Sequence, residues 1–195
     1  MNLEINDSLI PGTKLKKNDM GNVTGLEFLS KVFYISEGVM LSQIREVSGI
    51  DGSTLQNWTK RGWVANARLK KYNIDQVAHI LIINMLRSCI QLDHIAFLLQ
   101  YINGKIDDKS DDIIRDSVLY DYICRILETL TRQDVASKAS IKEVIREQIA
   151  DYEEAMPGAR DRLANALEII VVAYYAALIK RRSDEMLNDL MSTVY

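Results

Sequence analysis

The chain has 195 residues, of which 48% are hydrophobic and 26% charged, enough for one domain or two small ones with a true core. Its formal net charge of −3 excludes a protein that coats nucleic acid by bulk charge, so any such affinity must come from a local patch. Two prolines and nine glycines argue against an all-β or loop-rich chain, and the abundance of Leu, Ile, Ala, Glu, Lys and Arg favours a mainly α fold.

Cys89 and Cys124 form no close pair and read as reduced thiols of a cytoplasmic protein. The start, Met1 to Asn6, has neither a basic region nor an apolar core and does not read as a signal peptide. The most apolar stretch, Ala166 to Ile179, is interrupted by Glu168 and falls short of the roughly 20 residues that cross a bilayer, so no membrane partner is expected.

In chain order, residues 1–24 read as an extended arm with turns at Pro11-Gly12 and Gly21-Asn22. Leu26, Leu29, Val32 and Phe33 lie at helical spacing, predicting a short amphipathic helix over 25–35 that Glu37-Gly38 ends. A helix from Leu41 to Ser48 buries Leu41, Ile44 and Val47. Gly49-Ile50-Asp51-Gly52 then breaks the chain, with Asp51 or Ser53 able to cap the next helix.

In that helix, spanning 53–61, Ser53, Gln56, Asn57 and Lys60 recur at i, i+3, i+4 and i+7 and share one face, while Leu55 and Trp58 anchor the other. Amide side chains match adenine edges in the major groove, and Lys60 can reach guanine or phosphate. These four are the candidate base contacts. Gly62 suits the stop of this helix. Trp63-Val64 and Lys71-Tyr72 flank a polar stretch and predict a β-hairpin wing, on which Arg61, Arg68, Lys70 and Lys71 are the candidate phosphate contacts. From Ser53 to Asn73 there are five cations and no acidic residue, in a chain that is acidic overall.

Asn73 and Gln76 form a capping box for a largely buried helix from Ile74 to Ser88, and another helix starts at Asp93 and runs to Ile102. Residues 104–116 read as an acidic linker. Beyond it, Val118 to Leu130 makes one apolar stripe, and Ser140 with Glu143 caps a helix through Tyr152. Pro157-Gly158 breaks the chain before a helix from Ala159 to Arg182, and Met186 to Met191 marks a last one.

The division is therefore an arm and short helix (1–36), a winged helix-turn-helix (37–103), and an acidic linker with an all-helical domain (104–195). Ala166–Ile179 is apolar nearly all round. Core packing, a homodimer interface, or a pocket for an apolar effector would each bury Ile170, Tyr174, Tyr175 and Leu178.

Thr54-Leu55, Trp58, Lys60-Arg61-Gly62, Trp63-Val64, Lys71-Tyr72-Asn73 and Leu92-Asp93-His94-Ile95 resemble the helix-turn-helix, wing and following helices of MerR-type regulators over residues 41–102. The resemblance implies a DNA-binding transcriptional regulator. The chain departs from it at Ser53, Gln56 and Asn57, where that family commonly places Arg, Arg and Tyr. Leu3-Glu4-Ile5-Asn6, Leu55-Gln56-Asn57-Trp58 and the aspartates from Asp107 to Asp112 also resemble a family of small bacterial proteins known only as a domain of unknown function.

The expectation is a homodimeric, sequence-specific binder of double-stranded DNA. The alternative is an adaptor that keeps the helix-turn-helix shape for protein contacts. No nucleophile–base pair, phosphate-cradling glycine loop or paired carboxylates point to catalysis. No cofactor or metal is expected: His79 and His94 lack partners at ligand spacing, and the 107–112 aspartates lack the glycine and glutamate of a calcium loop.

Overall fold

The computed structural model describes residues 8–34, 38–106, 108–133 and 138–194, the side chains of 132–140 and 194 excepted. The described chain is mainly helical, with one two-stranded antiparallel sheet. In order it forms α1 (Gly25–Val32), β1 (Val39–Met40), α2 (Leu41–Ser48), α3 (Gly52–Lys60), β2 (Lys71–Tyr72), α4 (Ile74–Leu86), α5 (Leu92–Asn103), α6 (Asp116–Gln133), α7 (Lys138–Gln148) and α8 (Ala159–Val194). The stretch from Leu3 to Asn6, Glu37, Asp107 and the Ser140 side chain lie outside the described residues.

Helix α4 is apolar around its whole circumference, with Val77, Ala78, Ile80, Leu81, Ile82, Ile83, Met85 and Leu86 all buried. Such a helix must be central, and α2, α5, α6 and α8 pack around it. Helix α1 lays Phe28 and Leu29 onto α6 and is fixed there by Asp121 Oδ1, which accepts from the Leu26 amide at 2.8 Å. One continuous hydrophobic cluster runs from Ile10 to Leu178, so the three spans expected from the sequence share a core.

The arm is not a free extension. Ile10 is fully buried, and the Tyr120 hydroxyl donates to the Pro11 carbonyl at 2.7 Å. Gly12, at φ +74°, lies so close to α4 that a Cβ there would collide with the Leu81 carbonyl. Asn84 Nδ2 donates to the carbonyls of Gly12 (2.8 Å) and Ser48 (3.0 Å), tying the arm, the end of α2 and α4 together.

The acidic segment is likewise docked. Ile113 and Ile114 are buried, and their carbonyls accept from the Tyr152 hydroxyl and Asn103 Nδ2 at 2.8 and 2.7 Å. Asp116 belongs to the first turn of α6 rather than to a linker. Ser140, expected at the cap of α7, lies within that helix, whose first described residue is Lys138.

The separate last helix expected at Met186–Met191 is a continuation of α8, 36 residues in all and about 54 Å long. Residues 182–186 carry no helix breaker, and Lys180–Asp184 (2.6 Å) and Arg182–Glu185 (3.6 Å) pairs bridge the turn there. By length and composition α8 could cross a membrane. One side of its apolar stretch is packed on α4 to α7, with Leu163, Ala166, Leu167, Ile170 and Val171 fully buried, while Ile169, Val172 and Ile179 stay about half exposed.

Candidate nucleic-acid interface

Helices α2 and α3 are joined by the short turn Gly49–Asp51. Of the two residues able to cap α3, Asp51 does so. Its carboxylate accepts from the Ser53 hydroxyl (2.5 Å), the Thr54 hydroxyl (2.6 Å) and the Thr54 amide (2.8 Å), and these bonds hold it well below the usual carboxylate range. The Ser53 proton is thereby committed to Asp51, leaving that residue an acceptor only.

Leu55 and Trp58 are both 1% exposed and pin α3 to the core. Gln56, Asn57 and Lys60 stand exposed on the opposite face with Ser53, as the spacing predicts. Among the described residues no ion pair or hydrogen bond engages the Gln56, Asn57 or Lys60 side chain.

The segment expected to form the wing, hereafter the wing, differs from the predicted hairpin. Tyr72 and Lys71 pair with Val39 and Met40 of β1 rather than with Trp63-Val64, which remain irregular. The sequence hides this because two-residue strands carry no periodicity. The hairpin proper shrinks to four residues. Arg68 and Lys71 exchange two backbone hydrogen bonds of 2.9 Å each around Leu69 (φ +52°) and Lys70 (φ +64°), the geometry of a type I′ turn.

The base of the wing is braced from three sides. The Trp63 amide donates to the Trp58 carbonyl at 2.9 Å, Gln76 Nε2 donates to the Asn66 carbonyl at 2.9 Å, and His79 Nε2 lies 2.9 Å from the Trp63 carbonyl. Gln76 also completes the predicted capping box with Asn73, both bonds measuring 2.9 Å. Arg61 lies over the Trp63 ring at 5.1 Å, so its guanidinium is positioned by stacking while it stays exposed. Arg68, Lys70 and Lys71 are exposed and, among the described residues, unpaired.

Of the three placements open to the Ala166–Ile179 cluster, core packing is the one its residues take. Ile170, Tyr174 and Leu178 are buried within the protomer, at 0%, 6% and 7% exposure, and Tyr175 is half-buried. They are core, and no second copy can reach Ile170. Tyr174 and Leu178 do line a cavity of about 280 Å³ with Ile10, Asn84 and Met85, rimmed by Lys180 and Arg181.

A larger cavity of about 530 Å³, which sequence reasoning missed, lies at the base of the wing and is lined by Val64, Asp75, His79, Asp112, Arg115 and Asp116. Its residues come from separated segments, which leaves no local signal. Its carboxylates have structural employment: Asp75 accepts from the Ser117 hydroxyl and amide at the start of α6, and Asp112 pairs with Lys109 at 3.0 Å.

Comparison with known proteins places this surface inside a family. Residues 19–123, which include α1 to α5, the wing and the first turns of α6, match the family described as "Domain of unknown function (DUF1836)". The chain is also 27% identical over 166 residues to the "Uncharacterized protein YkrK" of Bacillus subtilis (strain 168), covering 80% of this chain and 71% of that protein. No solved structure matches it.

Proposed function

The chain belongs to the DUF1836 family, and from the surface made by α3 and the wing we propose that it is a sequence-specific, double-stranded-DNA-binding transcriptional regulator. In this reading α2, α3 and the 61–72 segment are a winged helix-turn-helix of MerR-like type. The observation that carries it is the pairing of an exposed, amide-bearing helix face with free cations. Gln56, Asn57 and Lys60 stand exposed over the buried Leu55 and Trp58, beside the unpaired Arg68, Lys70 and Lys71, with no acidic residue from Ser53 to Asn73.

Helix α3 enters the major groove, where Gln56 and Asn57 read adenine edges and Lys60 guanine or phosphate. Ser53 contributes as an acceptor. Arg61, Arg68, Lys70 and Lys71 hold phosphates and fix the register.

The active species is a homodimer reading two half-sites about 34–36 Å apart. Its interface is the free end of α8, where Met186, Leu187, Leu190 and Met191 form an exposed stripe, each between 54% and 61% exposed. The cavity beside Tyr174 and Leu178 is the place for an apolar effector. A second reading, an adaptor that uses the same surface for a protein, is favoured by the net charge of −3 and by the exposed carboxylate of Asp51 at the start of α3.

Selection of bound duplexes from a random pool, with the winners titrated against salt, tests the proposal. One enriched palindromic site whose affinity falls steeply with salt supports it. No enrichment refutes it and directs the search to a protein partner.

A further inference from the structure

Leu69 is 90% exposed, the most exposed large apolar side chain among the described residues. It stands at the first central position of the wing turn with φ +52°, followed by Lys70 at φ +64°. Left-handed backbone is unfavourable for both side chains, and Asn-Gly is the pair that makes such a turn without strain. The turn therefore carries an apolar side chain that adds nothing to the core, in a backbone conformation that disfavours it. Strain of this kind at an exposed tip points to use. The surroundings say for what: Arg68, Lys70 and Lys71 flank the leucine, all exposed, and the base of the wing is held by Gln76 and His79.

We propose that Leu69 is an apolar wedge that enters the minor groove of duplex DNA next to the major groove read by α3 and parts one base step. The proposal rests on the DNA-binding reading above. The three cations draw the tip onto the phosphates that border the groove, and the leucine replaces stacking lost between two bases. Opening the step kinks the duplex toward the major groove, which brings more backbone against the protein. Pyrimidine–purine steps part most easily, so the wedge selects a TA or CA/TG step that Gln56 and Asn57 do not touch. A lipid surface is the weaker fit, because one leucine gives too little apolar area to anchor a protein there.

The test uses the duplex enriched in the selection above, with 2-aminopurine placed at each TA and CA step in turn, and compares wild type with Leu69→Asn and Leu69→Ala. Wild type should raise the fluorescence at one step and bend the duplex. Both variants should bind with an unchanged salt dependence but without the fluorescence rise or the bend, and the preference for that step should fall roughly tenfold. Leu69→Asn should melt at or above the wild-type temperature, since Asn suits left-handed backbone, so a lost signal is not a lost fold.

If wild type binds without unstacking any step, or Leu69→Asn unstacks it equally well, the wedge is refuted while DNA binding stands. Failure of wild type to bind any duplex refutes both. Binding of wild type but not Leu69→Asn to vesicles of anionic phospholipid, with no unstacking of DNA, would reassign the tip to a membrane surface and overturn the wedge.

Discussion

His79 stands between two acceptors, with Nδ1 3.2 Å from Asp116 Oδ2 and Nε2 2.9 Å from the Trp63 carbonyl oxygen. One side chain of α4 thus links the base of the wing to the first turn of α6, and Asp116 is held in turn by Asn103 Nδ2 at 3.3 Å. His79→Ala removes the imidazole that bridges these two oxygens and should cost about 1–3 kcal/mol of stability. Amide exchange should quicken across 63–72 well beyond the global change. Unaltered exchange in that segment would show that Gln76 and the Trp58 carbonyl suffice to hold the wing.

Asp75 joins the start of α4 to the start of α6. Burial pushes its carboxyl upward, but hydrogen bonds from the Ser117 hydroxyl and amide and from Arg115 outweigh that and hold it below the usual range. A group depressed in the folded state contributes stability that is complete above its unfolded value of about 3.9 and is lost as pH falls through the folded value. Wild-type stability should therefore decline on acidification below about pH 4. Asp75→Asn should be less stable at neutral pH and show a shallower decline, read from denaturant midpoints across pH.

The two faces of α3 should separate cleanly. Trp58→Ala removes a 1%-exposed anchor and should cost about 3–5 kcal/mol. Gln56→Ala and Asn57→Ala should change stability by less than about 0.5 kcal/mol. On an enriched duplex each should lose about 1–3 kcal/mol of discrimination against the wrong base. Calorimetry and competition binding on the same preparations decide it.

Leu187 and Leu190, exposed at 56% and 61%, lie on the part of α8 that no other described element of the protomer covers. Leu187→Glu with Leu190→Glu should convert a sedimenting dimer to monomer while leaving the thermal transition of the core in place. A wild-type monomer at all accessible concentrations would remove the dimer.

Much of the fold is written locally. The i, i+3, i+4, i+7 pattern of Ser53, Gln56, Asn57 and Lys60 is a helix-face signal, and it places those side chains correctly because Leu55 and Trp58 leave α3 only one way to sit. The Asn73–Gln76 box announces α4 for the same reason. What the sequence hides depends on distant partners. β1 is two residues long and is defined only by β2. The arm is fixed by α4 through Gly12 and Asn84, residue types that carry no burial signal. Whether Tyr174 and Leu178 face the core, a second copy or a pocket stays open in the sequence, because an all-round apolar helix does not say which neighbours cover it. The end of α8 reads as a separate helix because its charged turn at 180–185 interrupts the apolar pattern, although charge pairs at i, i+4 support a helix.

The measurement that bears most directly on DNA binding is the salt dependence of duplex affinity for wild type and for Arg68→Ala/Lys70→Ala/Lys71→Ala together. Each cation withdrawn from a phosphate should reduce the slope of log K against log salt by about 0.9, so the triple variant should bind more weakly on every sequence with a slope shallower by roughly 2–3. An affinity and a slope unchanged from wild type would contradict the assignment of the wing to the phosphate backbone.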